Sequence, residues 1–93
     1  MIKGFKDEDS EDIFRGQLIR RFGKDIQRIA RRKLTMLHGA ESLRDLRVPP
    51  GNHLEKLKGD REGQHSIRIS SQWRICFAWR EYDAYEVEIV DYH

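Results

Sequence analysis

The chain ends Asp91-Tyr92-His93, which places an acid, an aromatic ring and an imidazole side by side. Imidazole titrates near neutral pH, so His93 can take up or deliver a proton as general acid or base. Tyr92 could stack on a nucleobase, and Asp91 could orient the imidazolium. The plain alternative is a solvated chain end. A second group lies in His53-Leu54-Glu55-Lys56-Leu57-Lys58-Gly59-Asp60-Arg61-Glu62-Gly63, with two lysines, one arginine, one histidine and three acids. It lacks the Gly-Lys-Ser/Thr ending of a nucleotide P-loop, and a solvated turn would look similar. His38, His53, His65, Cys76 and His93 show none of the paired spacings of metal ligands, so no metal site is expected.

Charge distribution points to the partner of such groups. The net charge is only +2. Residues 1–14 carry −3, residues 15–80 carry +10 and residues 81–93 carry −5. Twelve of the 18 basic residues are arginines, whose guanidinium forks onto phosphate and stacks on bases. A polyanion such as nucleic acid fits this centre. A merely solvated surface is the alternative.

These groups must be held by a small scaffold. Ninety-three residues suggest one domain spanning 1–93, with 38% hydrophobic and 37% charged residues. No apolar run nears the ~18 residues of a membrane span. No apolar stretch follows Met1-Ile2-Lys3-Gly4-Phe5, so a secretory signal is not expected. A lone Cys76 excludes an intramolecular disulfide and fits a reducing cytoplasm.

Residues 1–5 alternate weakly and suggest an edge strand. Ser10 is a good N-cap, predicting a short helix over residues 11–18. Residues 24–38 give the clearest helix, with Ile26, Ile29, Ala30, Leu34 and Leu37 in one stripe and Lys24, Arg28, Arg31, Arg32 and Lys33 over much of the rest. His38-Gly39 is a stop. Residues 41–46 suggest a further turn, and Val48-Pro49-Pro50-Gly51-Asn52 a loop. Beyond them, Ile67 and Ile69, then Trp73, Ile75, Phe77 and Trp79, then Tyr85, Val87 and Ile89 alternate with other residues. Period two with one apolar face predicts an antiparallel sheet whose odd-numbered face packs on the helix.

Paired residues share a face. A two-residue Ser71-Gln72 loop would set Ile69 against Arg74 and bury a charge. An odd-length loop instead pairs Ile69 with Trp73 and sets Arg68 beside Arg74 on the face away from the helix. Two adjacent arginines call for an anion between them, or for Glu86 and Glu88 on the next strand.

The ordered set Leu57-Lys58-Gly59-Asp60-Arg61-Glu62-Gly63, Trp73-Arg74-Ile75-Cys76-Phe77, Asp83-Ala84-Tyr85 and Asp91-Tyr92-His93 resembles the HigB toxins of the RelE/ParE toxin superfamily. The start Met1-Ile2-Lys3-Gly4-Phe5-Lys6 is similar too. Pro49-Pro50-Gly51-Asn52 and Gly63-Gln64-His65-Ser66-Ile67-Arg68 resemble a GraT-like subgroup.

The resemblance implies an α+β, RelE-like compact fold: a small antiparallel β-sheet with two or three helices packed on one face. It implies a type II toxin that cuts mRNA in the ribosomal A site without metal or other cofactor. The 2′-hydroxyl attacks the adjacent phosphodiester, leaving a cyclic phosphate and a 5′-hydroxyl. Lys58 and Arg74 match the family's cations at the scissile phosphate, and Asp91, Tyr92 and His93 its functional ending.

Glu55 stands where well-studied members carry a histidine, and His53 is the nearest one: either Glu55 is the base, or His53 reaches across, or catalysis is weakened, and His93 is also a candidate base. Arg68, Arg61, Lys56 and His53, with Lys24, Arg28, Arg31 and Arg32 of the helix, are the expected RNA or ribosome contacts. The implied partners are a HigA-type helix-turn-helix antitoxin, the 70S ribosome with its rRNA and mRNA, and operator DNA only through the antitoxin complex, with no membrane. The competing readings are a ParE-like toxin acting on DNA gyrase and a plain RNA-binding module.

Overall fold

The computed structural model describes residues 1–91. Two helices, α1 (Glu8–Phe14) and α2 (Lys24–Gly39), pack on one face of a four-stranded antiparallel sheet. The strands run in chain order: β1 (Glu55–Lys56), β2 (Gln64–Arg68), β3 (Trp73–Arg80) and β4 (Asp83–Asp91). Short 3₁₀ turns at Leu43–Arg47, Pro50–Asn52 and Gly59–Arg61 punctuate the connections. No helix among the described residues is long and apolar enough to cross a membrane.

Helix α2 forms where the 3.6-residue stripe placed it. Ala30, Leu34 and Leu37 are fully buried against Ile67, Ile75 and Phe77 of the sheet. One residue counted with the polar covering is not there: Lys33 is buried. It stands three residues after Ala30 and four before Leu37, which is the apolar side of the helix. Gln27, also buried, accepts from the Ile19 amide (2.6 Å) and donates to the Ile19 and Phe22 carbonyls (both 2.8 Å). It thereby ties the incoming connection to α2.

Helix α1 lies earlier than the sequence suggested. Asp7, not Ser10, caps it, accepting from the Ser10 amide at 2.7 Å. Ser10 is drawn inside the helix because its hydroxyl is buried and accepts from the Ile89 amide of β4 (3.0 Å). The helix stops at Phe14 rather than near residue 18, as Gly16 takes the left-handed conformation (φ 89°).

The sheet register follows the parity argument. Ile67 pairs with Ile75 and Arg68 with Arg74, and the Ile69 amide donates to Trp73 across a three-residue loop. The expected strand at residues 1–5 is two isolated parallel bridges, Ile2 to Ala84 and Phe5 to Val87. They cover the outer edge of β4 and so protect it from pairing with other chains.

One strand departs from simple alternation. Cys76 faces Glu88 but Ala78 faces Tyr85, so β4 carries one extra residue, with Glu86 at φ 52°. This bulge flips the pleat. Ala84, opposite Trp79, lies in the core, and Tyr85 turns to the face away from the helices, under the Arg80 guanidinium. Tyr85 is therefore not part of the helix-facing set to which its number assigned it.

Candidate functional site

The face of the sheet away from the helices gathers several of the expected groups, Glu55, Arg61 and Arg68 among them, and Arg74 is its centre. In β3 it is only 7% exposed. Its Nε donates to Ser66 Oγ (2.8 Å) and its Nη2 to the Ser66 carbonyl (3.4 Å) and the His53 carbonyl. Its Nη1 lies 3.8 Å from Glu55 Oε1, on a carboxylate whose side chain is 49% exposed. Strand pairing sets Arg68, half-buried, directly beside it. Arg74 is thus a charge fixed at the floor of the face, with a carboxylate at its outer edge.

The anticipated counter-ions prove to be different ones. Glu88 faces Lys6 (3.2 Å) and Arg61 (3.4 Å), and Glu86 is exposed at the bulge. Glu55 takes the place beside Arg74. Arg61 reaches the sheet because the chain reverses just before it: Gly59 adopts φ 65° after the exposed Lys58. Arg61 also donates to Gln64 Oε1 (3.0 Å). Beneath this cover Cys76 is fully buried, and burial pushes its thiol pKa up.

Not every expected residue joins this face. Lys56 pairs with His65 and points to the other side of the sheet from its neighbour Glu55. His53 offers its carbonyl to Arg74, not its ring. Asp91 ends β4 opposite Trp73 and accepts from Gln72 Nε2 (3.1 Å). Tyr92 and His93 lie outside the described residues.

Lys24, Arg28, Arg31 and Arg32 line a separate groove of about 480 Å³ between α2 and the residues after α1, floored by Ile13. The helix–sheet core stands between this groove and Arg74. Sequence reasoning missed Ser66, Lys33 and Asn52. For Lys33 the signal was present, in its spacing from Ala30, Leu34 and Leu37.

His65 supplies a pH dependence on the opposite face. Its ring stacks on Phe77 with centroids 6.1 Å apart. Its buried Nδ1 has no hydrogen-bond partner among the described residues. Burial, helped by the charge of Lys56, holds its pKa below the usual histidine value. The unfolded chain therefore takes up this proton first as pH falls. Stability is expected to drop as pH falls through about 6.5. His65→Phe, which keeps the stack, should flatten that slope in urea midpoints measured from about pH 8 to about pH 5.

Comparisons with known proteins place the chain in a family. A family model described as the RelE-like toxin of type II toxin–antitoxin system HigB matches residues 3–93. Toxin HigB-1 of Vibrio cholerae is 38% identical over 80 residues, covering 85% of this chain and 84% of that one. Endoribonuclease HigB of Proteus vulgaris is 50% identical over 40 residues, covering 43% and 44%. Among solved structures, a chain of the heterotetrameric YoeB–YefM toxin–antitoxin complex from Staphylococcus aureus shares the fold at TM-score 0.62 and 14% identity. That match covers 100% of this chain and 98% of that one.

Proposed function

The chain belongs to the HigB-like family of RelE-like toxins of type II toxin–antitoxin systems, and from that premise we propose that it cleaves mRNA in the ribosomal A site without a metal. The observation that carries this reading is Arg74, held rigid by Ser66 and His53 with the half-exposed Glu55 at its edge. Cleavage through the 2′-hydroxyl needs a base, an acid and fixed positive charge near the phosphorus. Glu55 is the base in this reading, because its carboxylate stands beside Arg74 while His53 contributes only a carbonyl there. It takes the 2′-hydroxyl proton, the 2′-oxygen bonds to phosphorus and the bond to the 5′-oxygen breaks. His93 returns a proton to that oxygen, giving a cyclic phosphate and a 5′-hydroxyl. Arg74, with Lys58, balances the charge that builds on the phosphate. Tyr92 stacks on the nucleotide and Asp91 orients His93.

The ribosome adds positioning that so open a site lacks. The two basic surfaces suit that task. Arg61, Arg68 and Lys58 serve the mRNA side, with Lys56 and His53 at its border. Lys24, Arg28, Arg31 and Arg32 grip rRNA phosphates from the other side, with strong salt dependence. The partner that neutralises the toxin in the cytoplasm is a HigA-type helix-turn-helix antitoxin, and operator DNA is met only through that complex.

The test is to induce the protein and map mRNA 5′ ends. New 5′-hydroxyl ends within translated frames, together with growth arrest, are expected, as is inactivity on ribosome-free RNA. A DNA-damage response without such ends would select the gyrase reading instead.

A further inference from the structure

Arg74 is connected to helix α2, on the other side of the core, by a buried Lys33–Asn52 contact, one step of backbone and the His53 carbonyl. Lys33 is 8% exposed, and desolvation, followed by the neighbouring Arg32 charge, lowers its pKa. Its ammonium donates to Asn52 Oδ1. Asn52 is completely buried at the end of the Pro50–Asn52 turn. Its Nδ2 donates to the Leu46 carbonyl (3.0 Å) and contacts Met36 Sδ (3.1 Å). Its amide side chain is thus held from α2 and from the turn before it.

The next residue, His53, has a left-handed backbone (φ 43°, ψ 58°), which non-glycine residues adopt uncommonly, so the turn holds a specific conformation. Its carbonyl accepts from Arg74 Nη2, and two residues on, Glu55 faces Arg74 Nη1. A buried lysine is costly unless its hydrogen bonds are made, and a leucine would fill the same place in the core. The lysine's donor is spent on fixing one loop residue, which stands one step from the arginine.

We propose that Lys33 and Asn52 are positioning residues for Arg74: they clamp the His53 turn so that its carbonyl and Glu55 aim the guanidinium at the open face of the sheet. This deepens the reading of that face as the RNA-cleaving site and rests on it. Neither side chain touches RNA, so their loss acts on the chemical step and not on ribosome affinity.

The test uses Lys33→Met, which keeps the apolar stem without the donor, and follows cleavage on mRNA-programmed ribosomes with the Arg74 Nε–H resonance of the free protein. A fall in kcat of up to about 10²-fold is expected, the scale of a misplaced catalytic group, with KM and ribosome affinity unchanged. The Arg74 resonance should shift and exchange faster, and Lys33→Gln, which restores a donor, should recover most of both. Wild-type kcat or an unmoved Arg74 resonance in a folded Lys33→Met protein would overturn the proposal.

If Lys33→Met does not fold, Asn52→Ser carries the same test with the same two outcomes. Arg74→Ala run in parallel separates the layers of argument. Wild-type cleavage by Arg74→Ala would sink the site itself, while the resonance would still report whether Lys33 positions the arginine.

Discussion

Arg74→Ala is expected to lower mRNA cleavage by about 10²–10³-fold, the usual cost of removing one fixed group that stabilises transition-state charge. The protein should stay folded. The substitution removes a buried charge together with its desolvation cost, and Glu55, its carboxylate neighbour among the described residues, is half in water. The Ser66 hydroxyl, the Ser66 carbonyl and the His53 carbonyl lose their arginine, a loss of the order of 1–3 kcal/mol.

Arg74→Lys should fall between the two. It restores a charge, but a single ammonium cannot span Ser66 and the His53 carbonyl as the guanidinium fork does. Primer extension on mRNA from ribosome reactions, beside a urea titration, measures both quantities. Full activity in a folded Arg74→Ala protein would remove the centre from the site described above.

Phe77→Ala is expected to abolish toxicity by another route, through the fold. Phe77 is fully buried in β3, stacked with the His65 ring and edge-on to Trp79 at 6.3 Å. Truncating such a ring costs about 3–5 kcal/mol, against a total of roughly 5–15 kcal/mol for a domain. In a chain of 93 residues that is a large share of the stability. The urea midpoint, followed by tryptophan fluorescence, should fall accordingly, and Phe77→Leu should lose much less. An antitoxin that binds the folded toxin restores stability by mass action, so purification as a complex should recover the folded variant. A loss below about 1 kcal/mol would show that Phe77 is not central to the packing. Together the two variants separate loss of chemistry from loss of structure.

The parts of the fold that were legible in the sequence are those governed by local repetition. The 3.6-residue stripe from Ile26 to Leu37 located α2, and alternation located β3 and β4. Parity alone set Arg68 beside Arg74, because a shift of one residue would have carried Arg74 into the core. The candidate site was half legible. Its arginines stood out by type and Glu55 by its place in the family resemblance, but the partner of each did not. Glu88 looked like a counter-ion for Arg74 and serves Arg61 and Lys6. Tyr85 looked like a core residue until the extra residue at Glu86 reversed the pleat. The α2 cations and the Arg74 surface formed one basic stretch in the chain, yet the core stands between them.

What the sequence determined by itself is the span of α2, the strands with clear alternation, and the shared face of Arg68 and Arg74. Backbone sterics repeat every few residues and leave that periodic mark on composition. What only the tertiary structure decided is which charges meet. Arg74 and the His53 carbonyl are 21 residues apart, and Lys33 and Asn52 are 19 apart. These contacts depend on how a turn crosses the sheet edge. That path is set by burial of groups that have few other ways to satisfy their hydrogen bonds, and no short-range pattern encodes it.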